Sequence, residues 1–138
     1  MVDRDLLLRK VADLERYVEQ LAMYRDVSIE VYAANWQMQR IVERTLHLAI
    51  ETCMDIAEHI VADRRLGIPE TGAASFELLT AASVLPEDLG ASLVKIVGFR
   101  NILVHDYARI DHARVLAIVR TDVADLQRLR EIVLREIV

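Results

Sequence analysis

Apolar residues recur every three or four positions along most of the chain, the spacing of one buried helix face. Leu7, Val11, Leu14, Val18 and Leu21 form the first such stripe. Asp3 stands just before it as an N-cap, so a helix is predicted from about Asp3 to Tyr24. The pattern loosens through 25–34, where a bend or break is expected. From about Asn35 to Arg65 a longer stripe follows, with Ile41, Leu46, Leu48, Ala49, Cys53, Ile56, Ala57 and Ile60. At 1.5 Å per residue that helix is about 45 Å long. Gly67 and Pro69 stop it, 66–74 reads as a loop, and Ser75 is the expected cap of a short helix to Ser83. Pro86 suits the first turn of the next helix, with Glu87 and Asp88 at its positive end. Leu89, Leu93, Ile96 and Val97 carry that helix towards Arg100. Asp111 caps the last one, whose stripe is Val115, Ile118, Val119, Val123, Leu126, Leu129 and Val133. No segment alternates with period two between turn residues, so strands are not expected. The prediction is one all-α domain over residues 1–138, an up-and-down bundle of about five helices.

Composition sharpens this picture. The chain has 138 residues, 54% of them hydrophobic but only 5% aromatic, with four glycines and two prolines. That mixture favours helix, and its apolar share is generous for one small bundle. An apolar face left over for a second copy of the chain is therefore expected. No apolar run approaches the roughly 20 residues of a membrane span. The first residues lack the basic-then-apolar form of a secretory signal, and a single cysteine, Cys53, leaves no internal disulfide. A cytoplasmic protein is the simplest expectation.

The net charge of −5 speaks against a face for duplex DNA. Charge is unevenly placed, however. Residues 95–120 hold Lys95, Arg100, Arg109, Arg114 and Arg120 against Asp106 and Asp111, a balance of +3 on a body of −8. A local basic spot fits a single phosphate or a short strand.

Within that spot, 99–107 reads Phe-Arg-Asn-Ile-Leu-Val-His-Asp-Tyr. Arginine grips phosphate through a planar fork, and histidine exchanges protons near neutral pH. On a helix Arg100 and His105 point about 140° apart, whereas Asn101 and His105 share a face. Asn101 is thus placed to orient the imidazole. Arg100 and His105 reach one phosphate only if the helix bends or ends near His105, or if two chains contribute. Taken singly, a surface arginine, a hydrogen-bonded histidine and a half-buried tyrosine are ordinary structural residues. Their combination in one segment is not.

Arg100-Asn101-x-x-x-His105-x-Tyr107 resembles the signature of HEPN-domain ribonuclease toxins of the HepT type. The resemblance extends through Val42-Glu43-Arg44-Thr45-Leu46, through Ile50-Glu51-x-x-Met54-Asp55-Ile56-Ala57-x-His59-Ile60, and through Pro69 and Leu93-x-x-Ile96-Val97-x-Phe99. It implies a HEPN-like all-helical homodimer whose two motifs line one cleft and cut RNA without a metal or other cofactor. Arg100 and His105 would be catalytic there, with Asn101 in support. It further implies a nucleotidyltransferase antitoxin of the MntA type that transfers AMP groups to Tyr107 and silences the nuclease.

Two other readings compete. Glu43, His47, Glu51, Asp55 and His59 follow at four-residue steps on the long helix. The stripe lacks the Glu-x-x-His spacing of di-iron bundles and reads better as a salt-bridged face. No Gly-rich phosphate loop or paired-cysteine motif is present. The alternative from another class is a non-catalytic, nucleotide-binding scaffold subunit of a minimal nucleotidyltransferase.

Overall fold

The computed structural model describes residues 3–105, 108 and 110–138. Asp106, Tyr107 and Arg109 lie outside the described residues, and so does the expectation placed on Tyr107. Every regular element among the described residues is helical.

Helix α1 (Arg4–Ala22) begins where expected, with the Asp3 carboxylate accepting from the Leu6 amide at 3.0 Å. Its predicted stripe is its buried face. The 25–34 region is not a plain break. Ser28 caps a short helix there, α2 (Ile29–Ala33), which buries Tyr32. Asn35 then caps α3 (Trp36–Asp63).

Two expectations at helix ends need correction. Gly67 does not close α3. Arg65 takes the left-handed conformation, φ 52°, while its amide donates to Ala62 and that of Leu66 to Val61. This is the hydrogen-bond pattern of a Schellman closure, completed before the chain reaches Gly67. The cap of α4 (Gly72–Ala81) is Thr71, not Ser75, with Thr71 Oγ1 accepting from the Ala74 amide at 3.2 Å. Ser75 is instead fully buried, because Phe76 and Leu79 need the earlier start to face the core. A second Schellman closure ends α4, with Ser83 at φ 61°.

Pro86 opens α5 (Glu87–His105), as predicted. The Asp111 carboxylate accepts from the Ala113 amide at 2.9 Å and caps α6 (His112–Ala117). A π turn (Ile118–Asp122) joins α6 to α7 (Val123–Ile132), and a second π turn (Val133–Ile137) follows. Val115, Val119 and Val123 step by four, overrunning the 3.6 period, and the wider turn keeps them on the buried side.

Helix α1 lies along α3, α4 packs on α3 and α5, and α7 closes the bundle against α1 and α5. Cys53 lies in this core, and burial pushes its thiol well above the ordinary range. Some large apolar side chains stay outside, including Trp36 and Ile41 on α3 and Ile102 on α5. No described helix is long and apolar enough to cross a membrane.

Candidate active site

Arg100 lies 49 positions from Glu51 along the chain, and the fold brings them into contact between α5 and α3. Arg100 Nη2 donates to Glu51 Oε1, and Nη1 donates to Asn101 Oδ1 at 3.2 Å. The same Glu51 oxygen meets His47 Nε2 at 3.2 Å, and His47 Nδ1 meets an Arg44 guanidinium nitrogen at 3.1 Å. Since arginine can only donate, this order fits His47 with its proton on Nε2. A chain of polar contacts thus runs Arg44, His47, Glu51, Arg100. Burial alone would raise the Glu51 pKa, but the hydrogen bond and charge of Arg100, helped by His47, hold it below the usual carboxylate range.

The result for Arg100 is a guanidinium that is only 21% exposed and tethered on two nitrogens. Its Nε is buried without a partner among the described residues. A fork held this way has little rotamer freedom left to lose when it meets a phosphate.

Helix α5 runs through Arg100 and ends at His105, which is exposed. The helical register therefore keeps the two about 140° apart within one chain, as the spacing requires. Asn101 accepts from Arg100, which gives it a partner other than the expected His105.

The stripe on α3 is salt-bridged, as the sequence suggested. His47 and Glu51 serve Arg100, while Asp55 pairs with Lys10 of α1 at 3.1 Å. Among the described residues no three His, Cys, Asp or Glu side chains gather as metal ligands. Sequence reasoning passed over Glu51 and Arg44 as site residues. Their signal was the i, i+3 and i, i+4 spacing through His47, which places all three on one face.

Beside the end of α5 a cavity of about 690 Å³ opens between α3, α5 and the start of α6. Arg40, Arg44 and His47 of α3, Leu103 and Val104 of α5 and His112 of α6 line it.

Residues 10–133 match the family described as "Ribonuclease HepT-like". The chain belongs to the HepT-like ribonuclease family. The mRNA nuclease HepT of Shewanella oneidensis is 31% identical over 133 residues, which span 96% of this chain and 98% of that protein. The tRNA nuclease HepT of Aphanizomenon flos-aquae is 31% identical over 72% of this chain and 68% of its own. Among solved structures, a toxin–antitoxin complex with AMP-PNP superposes with a TM-score of 0.91 at 30% identity, covering 96% of this chain and 100% of that one. A tri-AMPylated HEPN toxin of Shewanella oneidensis, bound to its MNT antitoxin, gives 0.90 at 30% identity, with 96% and 99% covered. The HepT resemblance and the all-α HEPN fold expected from the sequence are both borne out, and the HepT-like chain is a ribonuclease of the toxin–antitoxin class.

Proposed function

We propose that this HepT-like chain is a metal-independent endoribonuclease toxin in which Arg100 and His105 carry the reaction across a homodimer cleft. The observation that carries the reading is the Glu51-tethered Arg100 on the same helix whose last described turn ends in an exposed His105. In the reaction a ribose 2′-hydroxyl attacks the adjacent phosphorus. The O2′–P bond forms, the P–O5′ bond breaks, and a proton passes from the first oxygen to the second. His105 of one chain acts at one of those two oxygens, as base or acid, with its counterpart in the second copy available for the other. That role is worth about 10²–10⁴-fold in rate. Arg100 neutralises charge growing on the non-bridging oxygens, so the two residue types cover both demands of the step.

With Arg100 and His105 about 140° apart on α5, a second copy brings the His105 of one chain to the Arg100 of the other. The exposed Ile102, which lies between the two on α5, supports a second copy seated there. The cognate partner is an MntA-type nucleotidyltransferase that adds AMP to Tyr107. A phosphodiester at that position repels an incoming RNA phosphate and fills the cleft. The complexes formed by related toxins support this pairing.

The test is RNA cleavage by purified chain, with and without chelator, beside growth arrest in cells. Arg100→Ala and His105→Ala are expected to abolish both while helical circular dichroism persists. Full toxicity in either variant refutes the assignment. Tight nucleotide binding with no cleavage by the wild-type chain points to the scaffold subunit instead.

A further inference from the structure

The cavity beside α5 is built for more than a phosphate. Its apolar wall, from Leu103, Val104 and Ile110, suits the face of a planar ring. Groups with unmet hydrogen-bonding capacity lie among the lining residues and next to them. Glu43 lines the cavity, and His112 Nδ1 is buried without a partner among the described residues. Burial raises the Glu43 pKa, and the charges of His112 and Arg40 oppose that rise. Next to His112 the Tyr32 ring stands edge-on at 5.5 Å between centroids. The Tyr32 hydroxyl is buried and also unpartnered, and its proton is held by burial and by the nearby Glu43 carboxylate. Arg40 and Arg44 border the same space. A volume of about 690 Å³ falls within the ~300–1,000 Å³ of ligand sites.

We propose that this cavity is a base-recognition site: it takes one unstacked nucleobase of the RNA strand, guanine by preference, while Arg40 and Arg44 hold the phosphate beside it. The proposal rests on the ribonuclease reading above and adds to it the determinant of where the strand is cut. Single-stranded RNA is read in this way, through stacked faces and hydrogen bonds to Watson–Crick edges. Glu43 selects the base. Its two oxygens match the parallel N1–H and N2–H donors of guanine. Adenine and cytosine offer one amino donor beside a ring nitrogen acceptor, which a carboxylate repels. Uracil offers a single N–H between two carbonyls. A bidentate pair of this kind discriminates by about 10- to 100-fold.

The experiment has two arms on the full chain. In the first, GMP, AMP, CMP and UMP are titrated calorimetrically and through the fluorescence of Trp36, the one tryptophan, whose ring lies 5.3 Å from the Arg40 guanidinium. GMP is expected to bind at least about tenfold more tightly than the others. Glu43→Gln is expected to erase that difference, and Arg44→Ala to weaken all four alike. In the second arm, cut ends are mapped on RNA of defined sequence. The wild-type chain is expected to place guanine at a fixed position beside the cut, and Glu43→Gln to bring the kcat/KM ratio between bases towards one. Equal binding of the four nucleotides together with cleavage lacking base preference overturns the base site and leaves the ribonuclease reading standing. Selective GMP binding by a chain that cuts no RNA upholds the base site and overturns the ribonuclease reading.

Discussion

Removing the Glu51 carboxylate tests whether Arg100 works because it is held. In Glu51→Ala the guanidinium loses its strongest partner while the rest of the site stays in place. The Arg100 and Glu51 side chains are 21% and 33% exposed, between a surface pair and a buried one. Exposed ion pairs contribute about 0.2–1 kcal/mol, and breaking a fully buried pair costs about 3–5 kcal/mol. A loss of about 1–2 kcal/mol is therefore expected, which lowers Tm by roughly 3–7 °C in a chain of this size. The kinetic effect follows from orientation. Deleting a preorganised donor outright costs about 10²–10³-fold in kcat, and here the donor remains but is free to turn. A fall of about 10- to 100-fold in kcat is expected. KM should stay level or drop, since Arg100 no longer shares its charge with a carboxylate. Glu51→Gln keeps an acceptor at the same atom and should recover much of the loss. Steady-state cleavage of a short oligonucleotide, measured well below the lowered Tm, separates the two constants. A kcat within twofold of wild type, or a kcat loss matched by a rising KM, refutes the positioning role.

Two further outcomes follow from packing and titration. Leu46 of α3 is fully buried in the core, so Leu46→Ala should cost about 2–5 kcal/mol in urea unfolding. The fraction still folded should keep its normal turnover. The Glu51 carboxyl is held below its ordinary value, so its pair stabilises the fold fully above the unfolded glutamate range and is lost as pH falls through the folded value. Stability of the wild-type chain should therefore decline more steeply on acidification than that of Glu51→Gln, and equal slopes would contradict this.

Much of the fold was legible because helix signals are local. Asp3, Asn35 and Asp111 cap from within three residues of the amides they bind, and their side-chain chemistry announces it. The buried stripes of α1 and α5 match the apolar spacing read along the chain. Errors arose where two local choices were nearly equal. Thr71 and Ser75 both qualify as caps, and the burial of Phe76 and Leu79 on α4 decides between them. Arg65 closes α3 although Gly67 stands two residues on, because the Ala62 and Val61 carbonyls already find their amide donors at the earlier turn.

The residues of the motif were equally visible in the sequence, since arginine, asparagine and histidine there lie within six positions. Sequence by itself determined the main helices, most of their caps and the presence of the Arg100–His105 motif, all matters of neighbours along the chain. Tertiary structure decided what those side chains are attached to. Glu51 reaches Arg100 across 49 positions, and Asn101 answers the arginine in place of the histidine. Arg40 and Arg44 line a cavity with Leu103 and His112, drawn from three helices. Such contacts depend on how helices cross and turn, and no periodicity within one helix encodes its angle to another.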